Sequence, residues 1–161
     1  KVYRMDEDTL KYTLVGVTKT TSYPITKLSP GEFTDYVVKP YRKAAGVTCY
    51  GTVCPDYLAT TCPAKVKRLA ADVTSVTSLH LTWNAVANAS GYCVYQKQSD
   101  GSYKRIAKAA DNLASITNLP TGKKATFRVR AYIKNSGVVY WGAYSAAVFA
   151  IPETNEFVMT P

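Results

Sequence analysis

Acidic residues and histidine are scarce: 11 Asp and Glu and a single His stand among 161 residues. General acid–base and nucleophilic mechanisms need such groups in held pairs. The chain offers no Gly-x-Ser-x-Gly, His-Glu-x-x-His or Cys-x-x-Cys, and no glycine-rich phosphate loop ahead of a helix. The lone His80 alternates to the polar side of an apolar strand, where a surface role is expected rather than that of a general base. Paired carboxylates for glycoside hydrolysis would have to come from unrelated turns. No catalytic residue and no cofactor are therefore expected, and the chain does not read as an enzyme.

Cysteine is sparse as well. Four cysteines are too few for a disulfide framework in a chain of this length, and their spacing is not that of a metal site. Cys49 and Cys54 flank Gly51; five extended residues would hold them about 17 Å apart, so a disulfide between them needs the chain to fold back there. Cys62 lies in a linker without an evident mate. Cys93, between Tyr92 and Val94, is expected to face away from the core, as a free thiol or an intermolecular partner. Asp6-Glu7-Asp8 lacks a spaced bidentate ligand and reads as a solvated turn rather than a calcium site. No apolar run approaches the roughly 18 residues of a membrane span, so no membrane insertion is expected. The chain starts in mid-pattern at Lys1 without a Met, which leaves room for a signal peptide ahead of it.

What the chain has in quantity is apolar and aromatic residues. Hydrophobic residues make up 47% of it, ample for a packed core and against disorder. The 20 Lys and Arg give a net charge of +9. They are spread through both halves, and several alternate with apolar residues, as Arg128 and Arg130 do, so they read as solvated sheet faces and no nucleic-acid partner is expected.

Alternation also sets the fold class, which is all-β. Leu79, Leu81 and Trp83 fall on one side of a strand, with His80 and Thr82 on the other. Gly91-Tyr92-Cys93-Val94-Tyr95, the turn Leu119-Pro120-Thr121-Gly122, and Phe127-Arg128-Val129-Arg130-Ala131-Tyr132 follow in that order. A Trp strand, a Gly-Tyr strand, a Leu-Pro turn and an aromatic-led strand in this order resemble the fibronectin type III module, an immunoglobulin-like β-sandwich. The tyrosine that commonly follows the turn in that family is replaced here, with Thr34 and Ala125 at the matching positions. The resemblance, in wording and turn lengths, is to modules of secreted or surface proteins of Gram-positive bacteria, and it implies an extracellular, secreted or cell-surface location.

The chain also repeats itself. Lys1-Val2-Tyr3-Arg4 matches Cys93-Val94-Tyr95-Gln96, Ile25-Thr26-Lys27-Leu28 matches Ile116-Thr117-Asn118-Leu119, and Tyr41 to Gly46 with Tyr50-Gly51 match Tyr132 to Gly137 with Trp141-Gly142. The later matches share an offset of 91, close to the roughly 100 residues of such a sandwich. Residues 62–152 are expected to form a complete module, with strands at Val66 to Val73, Ser78 to Trp83, Gly91 to Lys97, Tyr103 to Ala107, a short fifth strand, Ala125 to Tyr132 and Ala143 to Phe149. Residues 1–61 are expected to hold only the third strand onwards: Lys1 to Met5, Tyr12 to Val17, Tyr23 to Leu28, Asp35 to Tyr41 and Val53 to Thr60. That would leave an apolar face including Val2, Tyr36 and Val38 without cover. The missing strands are expected upstream, or else another chain supplies them, the tail 153–161 with Phe157-Val158-Met159 being a segment that could donate a strand or link to a following domain. A short linker with Pro63 would hold the modules in an extended relation.

One constellation invites a binding role. Tyr140, Trp141 and Tyr144 place three aromatics in five residues at the end of a hairpin, a common location for partner recognition. Such rings stack on sugars or anchor protein contacts, but they also cover the edge of their own sheet, and the first copy repeats the pattern around Tyr50. The function expected is a non-catalytic spacer whose partners are neighbouring domains. The alternatives are adhesion to polysaccharide or a cell-surface protein through these rings, and a strand-exchanging subunit of an extracellular polymer.

Overall fold

The computed structural model describes residues 1–6 and 8–153. Fourteen strands make up the secondary structure of these residues, and the chain divides into two units, Lys1–Thr61 and Cys62–Pro161.

The second unit is a two-sheet sandwich. One sheet carries β11 (Leu113–Ile116), β8 (Ser78–Thr82) and β7 (Ala70–Ser75) in that order. The other carries β10 (Tyr103–Ala109), β9 (Gly91–Lys97), β12 (Ala125–Asn135) and β13 (Val138–Trp141), with β14 (Val148–Ala150) also paired to β12. Period-two patterning dictates what lies between them. Leu79, Leu81 and Trp83 enter from one sheet and Tyr92, Val94, Phe127 and Val129 from the other, all nearly fully buried, while His80 stays exposed. Trp83 meets Tyr92 edge-on at 5.2 Å, the arrangement that the ring quadrupoles favour.

The first unit has one sheet: β2 (Lys11–Gly16), β1 (Val2–Asp6), β3 (Phe33–Val38) and β6 (Tyr57–Thr60), plus a hairpin of β4 (Tyr41–Ala44) and β5 (Val47–Tyr50). The registers of the two units correspond. Asp35 pairs with Leu58 as Thr126 pairs with Phe149, and Tyr41 with Tyr50 as Tyr132 with Trp141. The backbone corresponds too. Left-handed φ values occur at Leu10, Lys27, Gly31, Ala45 and Gly46, and again 91 residues later at Gly101, Asn118, Gly122, Ser136 and Gly137. The last two of each set form the two-residue hairpin turn, whose mirror-image geometry matches the strand twist and requires φ > 0 at both positions.

Several expectations need correction. Tyr23 to Leu28 is not a strand. Its counterpart in the second unit pairs with β8, and the first unit has no equivalent of β8 among the described residues, so the segment has no ladder to join. Ile25 and Leu28 are only half-buried, whereas their counterparts Ile116 and Leu119 are 6% and 4% exposed. The face is not bare throughout. Val2 and Tyr36 are buried, whereas Val38, at 48%, and Tyr57, which pairs with Tyr36 and is 73% exposed, are open. Residues 143–147 are not strand but an irregular stretch in which Ser145 N–H donates to the Val129 carbonyl and Ser145 Oγ accepts the Val129 N–H at 2.9 Å. The expected donor strand at 157–159 lies outside the described residues, as does Glu7 of the acidic turn.

Candidate functional site

The aromatic cluster sits on the outer face of the β10-β9-β12-β13 sheet. Residues paired directly across antiparallel strands share a face, so Trp141 joins Tyr132, while Tyr140 falls opposite the fully buried Ile133 on the other side. The structure therefore brings Trp141 and Tyr144 together and separates Tyr140 from them.

Between the rings lies Arg130. Its guanidinium carbon is 4.0 Å from the centre of Trp141, 4.7 Å from Tyr144 and 5.1 Å from Tyr95. Its Nε and Nη2 donate to Tyr95 Oη at 3.1 and 2.8 Å, and Tyr144 meets Tyr95 edge-on at 5.1 Å. Burial pushes the Tyr144 hydroxyl above its ordinary pKa, with Arg130 pulling it back. Because a guanidinium already covers the rings, they form a clamp for the protein's own cation more than an open stacking platform. The first unit has the same device: Lys39, 91 positions before Arg130, lies 4.8 Å over Tyr50, the counterpart of Trp141. A stack present in both units fits a structural role.

Cys93 pairs with Arg130, on the face away from the sandwich core, yet it is fully buried. It is a free thiol, but its burial corrects its expected use as an intermolecular partner. Cys49 and Cys54 are both exposed free thiols, and the bridge between them is not formed. Cys54 has another partner: its Sγ accepts the Val38 N–H at 2.9 Å, as Ser145 Oγ does for Val129 at the same offset.

Arg130, Tyr95, Arg128 and Tyr103 are contributors that sequence reasoning missed as a group. The alternation of Arg128 and Arg130 with Phe127 and Val129 signalled the outward face, but only the β9–β12 register shows which rings they meet. Asp72, His80 and Ser115 form a cross-strand row on the other sheet. All three are exposed, and no hydrogen bond joins them among the described residues. Asp6 accepts the N–H and hydroxyl of Thr9, which hold its carboxyl below the usual range. No helix among the described residues is long and apolar enough to cross a membrane.

Solved structures resemble the chain. The mutant FN3tt structure aligns at 22% identity over 57% of this chain and 98% of its own, with a TM-score of 0.50. The fold is that of a fibronectin type III domain. A human domain of this type, the sixth of fibronectin type III domain containing protein 3, aligns at 15% identity over 64% of this chain and 97% of its own, with a TM-score of 0.49. An Fn3-like protein from Clostridium thermocellum shows 28% identity over 57% and 91%, with a TM-score of 0.44. No protein-family model and no curated protein matches the chain. In the fibronectin type III fold the clamp faces outward from the sheet that contains β9 and β12, leaving the core between the sheets untouched.

Proposed function

We propose that the chain is a non-catalytic spacer or presentation segment of a multidomain extracellular or cell-surface bacterial protein. It comprises one complete fibronectin type III module, residues 62–152, and the later strands of another, residues 1–61. The observation that carries the reading is the shared offset of 91 in backbone conformation and strand register, which supports two copies of one module in tandem. Modules of this kind act through their folded cores, which keep neighbouring domains apart, and their charged faces keep them soluble. The matched face in the second unit is covered by the β7–β8 hairpin and β11, so a hairpin of that type is the cover that the first unit calls for.

A second reading, adhesion to polysaccharide or a surface protein, is favoured by Trp141 and Tyr144 lying together and half-buried. One experiment separates the two: binding of the chain to insoluble polysaccharides and isolated bacterial cell walls, with Trp141→Ala beside it. The spacer reading expects no saturable binding and a variant that is merely less stable. Saturable binding that the variant loses would make the rings a site and replace the spacer reading with adhesion.

A further inference from the structure

The outer face of the β10-β9-β12-β13 sheet is cationic without a counter-charge. The registers place Lys97, Arg105, Lys108, Arg128, Arg130 and Lys134 on this one side, and no Asp or Glu occupies any position of these four strands. Charge is also uneven along the chain, with eight Lys and Arg against six Asp and Glu in residues 1–61 and twelve against five in residues 62–161. Among the described residues the ion pair formed is Arg4 with Glu32, in the first unit.

Two of these cations are held in place. Arg128 lies 4.7 Å over the Tyr103 ring, and its buried Nε has no hydrogen-bond partner among the described residues. Arg130 is fixed by Tyr95, through its Nε and Nη2, and by the Trp141 clamp, and its Nη1 makes no hydrogen bond among the described residues. The two lie about 7 Å apart along β12. A guanidinium ordered before binding loses less entropy when it meets an oxyanion and offers a bidentate fork to it.

The other unit shows that the fold does not require this charge. At the matching positions it carries Met5 for Lys97, Leu14 for Arg105, Val17 for Lys108 and Val37 for Arg128. Arg130 and Lys134 have cationic counterparts in Lys39 and Lys43, whereas the other four cations belong to the second unit alone.

We infer that this sheet face binds an extended anionic polysaccharide, one bearing carboxylate or sulfate groups, with Arg128 and Arg105 as principal contacts. The face favours a glycan over nucleic acid. Tyr95, Trp141 and Tyr144 lie under Arg130 and Tyr103 under Arg128, which leaves bases little stacking surface, and a sheet face presents no helix to a duplex groove. This is a different ligand class and a different set of residues from neutral-sugar stacking on Trp141, and it holds whether or not the chain also spaces other domains.

The test is binding of the full chain to dextran sulfate and to polygalacturonate, with neutral dextran and duplex DNA as comparators, at about 50 and 150 mM salt, where charge-driven binding weakens as salt rises. Arg105→Leu with Arg128→Val installs the residues of the other unit and is expected to weaken binding tenfold or more. Lys123→Gln with Lys124→Gln removes equal charge from a loop and should change it by less than about twofold. Arg105→Leu alone, at an exposed position, keeps the comparison readable if the double variant unfolds. Arg128→Lys, which keeps charge but not the fork, should fall between. Binding of dextran sulfate alone assigns sulfate as the preferred group, and of polygalacturonate alone, carboxylate. The inference is overturned if neither polymer binds saturably, if the loop pair loses as much as the sheet pair, or if DNA binds as tightly at equal charge.

Discussion

Ser145 and Cys54 do the same job with different atoms. Each accepts the N–H of a valine on the strand beside it, Val129 and Val38, at 2.9 Å. Ser145 is 4% exposed, so Ser145→Ala leaves a buried donor unpaired and should cost about 1–3 kcal/mol in urea denaturation. Cys54→Ser keeps an acceptor and is expected to change stability by under about 0.5 kcal/mol. A large loss in Cys54→Ser would show that the thiol has a further role. Glu32 supports a pH prediction. Its carboxylate accepts the Ser29 N–H at 2.8 Å, which lowers its pKa most; burial opposes, and Thr34 and Arg4 lower it further. A depressed folded pKa contributes stability above the unfolded value, about 4.3 for Glu, and that contribution is lost as pH falls through the lower folded value. The first unit should therefore weaken below about pH 4.3. Glu32→Gln should flatten that dependence and cost under about 1 kcal/mol at neutral pH, as read from far-UV circular dichroism melts across pH 2–7.

At the scale of elements, strands flanked on both faces by patterned neighbours were legible in the sequence. Ser78–Thr82 follows from alternation, Trp83 marks the core, and Gly91–Lys97, buried at each of its first five positions, was legible from its place in the motif order. Tyr23 to Leu28 carries the same kind of signal, with apolar Ile25 and Leu28, but a strand exists only where a partner offers its backbone groups. Alternation reports the face that a residue prefers and says nothing of whether the next strand is there. The candidate site was half legible for a related reason. Trp141 and Tyr144 stand close in sequence, whereas the Arg130 and Tyr95 that complete the arrangement come from strands up to 49 positions away and meet them only through register. Trp83→Ala should test the core assignment. The side chain is 3% exposed and packs on Tyr92, so the loss should be about 3–5 kcal/mol, with near-UV circular dichroism showing whether the second unit keeps its packing.

For the molecule as a whole, the two units should respond differently to heat. Of the twenty buried hydrophobic residues among those described, Val2, Tyr36 and Val37 lie in the first unit and the rest in the second. Hydrophobic burial is the dominant favourable term in folding, so hydrogen exchange should show residues 1–61 opening at lower temperature than β8, β9 and β12, and calorimetry should resolve two transitions. A single cooperative transition with uniform protection would contradict this. Strand edges carry a further consequence. β10, an outer strand of its sheet, presents Lys104, Arg105 and Lys108, charges that repel another sheet approaching edge to edge. Its counterpart β2 presents Tyr12 and Leu14, 39% and 53% exposed, with Lys11 at its start as its one charge, and so has less of that deterrent. In concentrated solution, unwanted self-association would begin at the edges of this sheet, β2 and the uncharged β6, and Leu14→Lys would be the natural gatekeeper at the β2 edge.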